Sequence, residues 1–220
     1  MRHSAVVEML GAPLPPRLPA PPAVLLPVRT DTGERRAPSR YDPATARRAA
    51  VLALIVPGDD GDARIVLTER VDRGGHHSGE VSFPGGSLEP EDADEVAAAL
   101  REATEEIGLD PAAVDVRVAG TLEPFWIPVS DFHVTPVVAV AARRPDYRAQ
   151  PAEVARILEA PLDAFVPGAR IVIVEREVRG WRLRYGAYPI GDLLVWGATA
   201  RILGQLGALV ASDAGGDGRT

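Results

Sequence analysis

Apolar and polar positions change period several times along this chain, and the changes mark its elements. Val51–Val56 is a continuous apolar run, the pattern of a strand covered on both faces, and Gly58-Asp59-Asp60-Gly61 makes the turn after it. Arg64–Thr68 is rich in aliphatic and β-branched residues, so the two segments are predicted to pair antiparallel across that turn. Asp92–Ile107 switches to helical spacing. Val96, Ala97, Leu100, Ala103 and Ile107 recur at that period, acidic residues fill the first turn, and Gly108 follows the last. Val114–Leu122 and Val134–Ala142 read as further strands, and Glu153–Leu158 as a short helix ahead of Pro161. Ile171–Val178 and Trp181–Tyr185 form a predicted hairpin around Arg179-Gly180, and Asp192–Leu209 a final amphipathic helix. Strands interleaved with two main helices predict an α+β protein, a sandwich built on a mixed sheet rather than a doubly wound fold. No Gly-x-Gly-x-x-Gly follows the first strand, and no phosphate loop of the Gly-Lys-Ser/Thr type is present.

The two ends depart from this patterning. Pro13, Pro15, Pro16, Pro19, Pro21, Pro22 and Pro27 interrupt the start of the chain, so residues 1–40 are expected to be a flexible, extended arm. Residues 212–220, rich in Gly and Asp, are expected to be a disordered tail, which leaves 41–211 as one folded domain. A formal net charge of −7 argues against a general binder of nucleic acid or of anionic membranes. No apolar run is long enough to cross a membrane, and the prolines break up anything like a signal peptide. With no cysteine there is no disulfide, thiolate nucleophile or Cys-ligated zinc, which fits a cytoplasmic protein.

The chemistry concentrates at the end of the Asp92–Ile107 helix. Glu102, Glu105 and Glu106 stand at i, i+3 and i+4, so their carboxylates share one helix face. They repel one another there, close to a helix C-terminus whose dipole also disfavours negative charge. A hard divalent cation such as Mg²⁺ would resolve the conflict, because it takes oxygen ligands of this kind together with substrate phosphates. A solvated acidic helix end is the other reading of the same spacing.

Phe83-Pro84-Gly85-Gly86, with Arg101-Glu102-Ala103-Thr104-Glu105-Glu106-Ile107-Gly108-Leu109, resembles the Nudix hydrolase box, G-x5-E-x7-R-E-U-x-E-E-x-G-U with U aliphatic. Fourteen residues separate Gly86 from Arg101, one more than the general box has, so its first glutamate falls on Asp92 or Ala93. That expansion is similar to the coenzyme A diphosphatase branch of the superfamily. So are Leu67-Thr68-Glu69-Arg70, His77-Ser78-Gly79-Glu80-Val81-Ser82 ahead of the box, Val134-Thr135-Pro136, and Val195-Trp196-Gly197-Ala198-Thr199-Ala200. The Leu-Arg pair of that branch before its histidine falls here on Gly74-Gly75.

The resemblance implies a Nudix-type α/β/α sandwich and metal-dependent hydrolysis of a nucleoside diphosphate joined to another group. Coenzyme A or acyl-coenzyme A is the first choice of substrate. ADP-ribose, a related nucleoside diphosphate, or a role as a nucleotide-binding sensor without turnover are the alternatives. Carried over residue by residue, Glu102, Glu105, Glu106 and the Gly86 carbonyl would hold Mg²⁺ or Mn²⁺. Glu105 and Glu153 are the candidates for general base, and Arg101 would orient a box carboxylate. Arg70, His77, Phe125 and Trp126 are candidate contacts to substrate, with Glu123, Asp131 and Phe132 as weaker candidates. Homodimers are common in the superfamily, and no nucleic-acid or membrane partner is implied.

Overall fold

The computed structural model describes residues 1–34, 45–71, 80–128, 130–178 and 180–214. Helix α1 (His3–Met9) comes first. Strands β1 (Val28–Arg29), β2 (Arg47–Pro57), β3 (Ala63–Arg70), β4 (Val81–Ser82) and β5 (Gly85–Ser87) precede helix α2 (Glu95–Ile107). Then come β6 (Val116–Thr121), β7 (Phe125–Ile127), β8 (Phe132–Ala141), β9 (Val154–Pro161), β10 (Val172–Val178), β11 (Trp181–Ile190), β12 (Leu193–Val195) and helix α3 (Gly197–Ala214).

The main sheet is mixed and ordered β4-β3-β2-β8-β6, with β9 on the outer edge of β3, β5 against β2 and β7 against β8. The central β2 and β8 run parallel, from Arg47 opposite Phe132 to Ile55 opposite Val140, while their other partners are antiparallel. A strand covered on both faces needs apolar residues at every position, which explains the unbroken Val51–Val56 run. Leu52, Leu54 and Val56 join Ala98, Ala99, Ala103 and Ile107 of α2 in one core, whereas Ala53 and Ile55 pack with Leu203, Leu206 and Val210 of α3 in the other. This is the α/β/α sandwich with a mixed sheet. The β10–β11 hairpin forms as its sequence indicates and, with β1 and β12, makes a second small sheet.

Three expectations are corrected. Val154–Pro161 is strand β9 rather than a helix. The backbone donors and acceptors on the open edge of β3 need partners, and β9 supplies them from Arg64 opposite Pro161 to Arg70 opposite Val154. The last helix starts at Gly197, because Leu193–Val195 is first used as a strand against β11. It then continues to Ala214, into the stretch expected to be a tail, of which 215–220 lie outside the described residues.

The third correction concerns the N-terminal arm. Its prolines prevent regular structure over most of its length, but its spaced apolar residues find a core. Val6 and Leu25 are fully buried and Leu10 nearly so, all three in the α3-side cluster. The carbonyls at the end of α1 accept hydrogen bonds from Arg117, Nη1 to Leu10 O at 3.1 Å and Nη2 to Val7 O at 2.9 Å. The Pro19 carbonyl accepts from Gln205 Nε2 on α3 at 3.0 Å. Side chains elsewhere thus satisfy main-chain groups that the end of α1 and the prolines leave without a partner. Replacing Leu10 by Ala is expected to cost about 2–4 kcal/mol through the lost burial and residual cavity. In a thermal melt this is a drop of roughly 5–15 °C, where an arm free in solvent would give none.

Among the described residues no helix is long and apolar enough to cross a membrane.

Candidate active site

Two glycines begin the site. Strand β5 lies against β2, with Gly85 opposite Val51 and Gly86 opposite Ala50. Gly85 has φ 151°, and a Cβ there would sit 2.6 Å from the Val51 Cα, inside the main chain of the neighbouring strand. A Cβ on Gly86 would meet the Glu102 carboxylate, 2.5 Å from Oε1. The pair therefore lets a strand press against β2 on one side and a carboxylate on the other.

Helix α2 brings up the acids. Its N-cap is Asp94, whose side chain accepts from the Ala97 amide at 2.9 Å. The helix therefore starts later than the acidic run suggests, and Asp92 is left outside it for another task. Arg101 grips Asp92 through two parallel bonds, Nε to Oδ1 and Nη2 to Oδ2, both 3.1 Å. Arg101 and the Glu89 amide hold the Asp92 carboxyl below the usual carboxylate range. The acid that pairs with the box arginine is thus Asp92 and not Ala93. The same guanidinium donates to the Ser87 carbonyl at 3.0 Å, to Glu102 Oε1 at 3.1 Å and to Glu105 Oε2 at 3.2 Å. Arg101 thus bonds the glycine turn, the acidic loop and the glutamate face together.

The three glutamates are not equivalent. Glu105 is exposed, with 59% of its side chain accessible, Glu102 is mostly covered at 16%, and Glu106 is buried at 4%. Glu106 Oε2 accepts from the Gly85 amide at 3.2 Å. Burial pushes its pKa up to about 7, against the partial opposition of that amide and of the Arg70 charge, and the Glu102 and Glu153 charges add to the rise. Glu102 is also raised, again by burial, with Arg101 opposing.

The loop after β8 completes the enclosure. At the C-terminus of α2 the carbonyls of Ile107 and Glu106, which have no partner within the helix, accept from the Arg148 and Gln150 amides at 2.9 and 2.8 Å. This docking carries Glu153 onto the wall of a cleft of about 620 Å³. Glu89, Glu102, Glu105 and Glu106 share that wall, with Ser87, Arg101 and Gln150 between them.

The remaining candidates fall elsewhere. Arg70 follows a bulge at the end of β3 and does not line the cleft, although its charge acts on Glu106. Phe125 lies under the Arg201 guanidinium at 4.2 Å and packs on the α3-side core, so it is turned away from α2. Trp126 donates from Nε1 to Asp131 Oδ1 at 2.9 Å, and Phe132 lies under Arg47 at 4.0 Å. None of these residues lines the cleft, nor does Glu123. His77 lies outside the described residues. Glu89, Ser87 and Gln150 were not singled out from the sequence. Glu89 had a signal in its position between the glycine pair and Arg101, whereas Gln150 had only its nearness to Glu153.

The donors facing the cleft are carboxylate oxygens, the set a hard divalent cation takes. A cation would also offset the cost of ionising Glu106, whose pKa burial pushes up to about 7. Among the described residues no three acidic or histidine side chains stand close enough to enclose an ion. Arg101 Nη1 bridges Glu102 and Glu105 instead, so seating a cation requires those two carboxylates to turn from the arginine.

The Glu106 shift has a consequence for stability. Its pKa is about 7 folded against 4.5 when unperturbed, so between those values the folded chain holds a proton that the unfolded chain has lost. The unfolding free energy then falls by about 1.4 kcal/mol per pH unit, toward a limit of roughly 3 kcal/mol. The contribution is whole below the unfolded value and gone above the folded one. In the absence of divalent ions, Tm is expected to fall from pH 5 to pH 7 more steeply for the wild type than for Glu106→Gln, and identical slopes would refute this account of Glu106.

Comparison with known proteins adds the family. Residues 46–179 match the NUDIX domain. The chain is similar to Nudix hydrolase 15, mitochondrial, of Arabidopsis thaliana, with 41% identity over 172 residues, 76% of this chain and 58% of that protein. It is similar to the same plant's Nudix hydrolase 22, chloroplastic, at 42% over 176 residues, 77% of this chain and 56% of that one. An uncharacterized Nudix hydrolase, NudL, of Yersinia pestis is 36% identical over 175 residues, 79% of this chain and 84% of that protein. The chain thus spans less than two thirds of the length of the two plant relatives.

Proposed function

The chain belongs to the Nudix family, and on that footing we propose that it is a metal-dependent diphosphatase acting on coenzyme A or acyl-coenzyme A. The products are adenosine 3′,5′-bisphosphate and (acyl-)4′-phosphopantetheine. The observation that carries the hydrolytic reading is the cleft walled by Glu89, Glu102, Glu105, Glu106 and Glu153. The buried Glu106 is fixed there on the Gly85 amide. The substrate class rests on the motifs around the box: the expanded Gly86-to-Arg101 spacing, the His77–Gly86 segment and Val195–Ala200.

Glu102, Glu105 and Glu106, with the Gly86 carbonyl, are the groups that would hold Mg²⁺ or Mn²⁺. When bound, such an ion polarises a phosphoryl oxygen, lowers the pKa of water and screens the diphosphate from the acidic wall. The protein's own residues do the rest. Arg101, anchored on Asp92, holds the Glu102 and Glu105 carboxylates on one face until they turn to the cation. Glu153, on the facing loop, takes a proton from the attacking water. Water adds its oxygen to one phosphorus, the bridging P–O bond breaks, and the departing phosphate keeps the bridging oxygen.

Gly74-Gly75, where the coenzyme A branch carries Leu-Arg, favours a second reading, a diphosphatase for ADP-ribose or a related nucleoside diphosphate. Incubation with Mg²⁺ or Mn²⁺ and a panel of coenzyme A, acetyl-coenzyme A, ADP-ribose, NADH and dinucleoside polyphosphates, with products identified by mass, separates the two. Faster turnover of ADP-ribose than of either coenzyme A compound would replace the first reading by the second. Tight binding of one compound with no turnover of any would make the protein a sensor.

A further inference from the structure

The loop that carries Glu153 is organised around one residue. The Gln150 amide donates to the Glu106 carbonyl at 2.8 Å, which ties the loop to the last turn of α2. The Gln150 carbonyl accepts from the amides of Glu153 at 3.0 Å and Val154 at 2.9 Å. The Gln150 side chain turns back along its own chain, and Oε1 accepts from the Ala152 amide. The Glu153 carbonyl in turn accepts from the Val71 amide, just past β3, at 3.0 Å. Three amides in a row, those of Ala152, Glu153 and Val154, thus bond Gln150, and both Gln150 and Glu153 reach the cleft wall.

Side chains that hydrogen-bond an amide two residues ahead fold the intervening chain into a tight turn, a conformation usually given to Asn or Asp. Here the turn lies between the residue locked to Glu106 and Glu153, which lines the cleft. Placing a proton acceptor is demanding, since a displacement of about 1 Å can cost two orders of magnitude in rate.

We infer that Gln150 is a positioning residue: its side chain, by closing the turn over Ala152, sets the location of the Glu153 carboxylate relative to Glu102 and Glu106. The inference rests on the diphosphatase reading above. Gln150 acts on the reaction through Glu153 and not through the substrate or the cation. Its main-chain bonds survive any substitution other than proline, so side-chain variants isolate the turn.

The test compares wild type, Gln150→Ala, Gln150→Asn, Glu153→Gln and the double variant Gln150→Ala/Glu153→Gln, with whichever compound of the panel the wild type hydrolyses. Gln150→Ala is expected to lower kcat about tenfold with KM within twofold of wild type. Asn carries a shorter amide that makes the same two-residue turn, so Gln150→Asn is expected to recover kcat to within threefold. In the double variant the Gln150 change is expected to add less than twofold to the Glu153→Gln loss, because the two residues act as one unit. Mn²⁺ affinity of the substrate-free protein, followed by electron paramagnetic resonance, is expected to stay within twofold for Gln150→Ala. A wild-type kcat in Gln150→Ala, a change confined to KM, or a full tenfold loss in the double variant over Glu153→Gln would each overturn the inference. A fivefold weakening of Mn²⁺ binding would overturn it too, by making Gln150 a prop of the cation site. A wild-type protein that hydrolyses nothing in the panel removes the diphosphatase reading and this inference with it. Turnover by the wild type with no effect at Gln150 removes the inference alone.

Discussion

Glu106→Gln is expected to lower kcat by about three orders of magnitude, the loss of roughly 4 kcal/mol of transition-state stabilisation. Glutamine keeps the shape and can still accept from the Gly85 amide, but it cannot bring negative charge to a cation. The expected effect on the fold runs in the other direction. Glu106 is buried, and its pKa of about 7 means that its ionised form is costly without a counter-charge. A neutral side chain removes that cost, so above pH 7 and without divalent ions Glu106→Gln should melt at or above the wild-type temperature. Function and stability are therefore opposed at this position, as is common where a site needs an ionised group in a poorly solvated place. Kinetics at saturating Mg²⁺, paired with melts in chelator, would reveal both signs. Activity near wild type in the variant sinks the assignment of Glu106 as a cation ligand.

Two adjacent glycines give the second large effect, and they should fail differently. Gly85→Ala places a methyl group 2.6 Å from the Val51 Cα at a backbone angle of φ 151°, and neither the strand nor the main chain behind it can move aside cheaply. A loss of about 3–4 kcal/mol is expected, seen as a Tm lower by roughly 6–16 °C, with activity falling because β5 also carries the amide that holds Glu106. Gly86→Ala meets only the end of a side chain, the Glu102 carboxylate at 2.5 Å. That carboxylate can swing away, so the fold should survive within about 1 kcal/mol while activity drops at least a hundredfold. Equal melting temperatures for the two variants would show that β5 does not press on β2 as described.

Much of this division was legible in the chain itself. The continuous Val51–Val56 run required a strand with two covered faces, and it sits at the centre of the sheet. The i, i+3, i+4 spacing placed three carboxylates on one helix face, yet spacing alone treats them alike. Burial of Glu106 and exposure of Glu105 follow from where α2 meets β5, a tertiary fact with no local signature. Asp92 could not be separated from Ala93 by counting, because the extra residue between Gly86 and Arg101 shifts the register by one. The bidentate geometry with Arg101 decides it. Val154–Pro161 mixes β-branched, charged and aliphatic residues in a run too short for its period to distinguish helix from strand, and the open edge of β3 settled the outcome. In the N-terminal arm, Val6 and Leu10 do stand at helical spacing, but over a helix of only seven residues, and Leu25 sits alone among prolines, so the period carries little signal there.

That arm also imposes an order of events on the chain. The Pro19 carbonyl is served by Gln205, and a Cβ on Gly186 or Gly204 would meet Leu25, so the partners of the Pro19–Leu25 stretch lie on β11 and α3. These are among the last elements to be made. The Pro19–Leu25 stretch therefore has no seat until β11 and α3 have been made, whereas Met1 and His3 already find Ala63 and Gly61. Until then Leu25 stays in water, and the prolines around it keep the stretch from collapsing into a wrong helix while it waits.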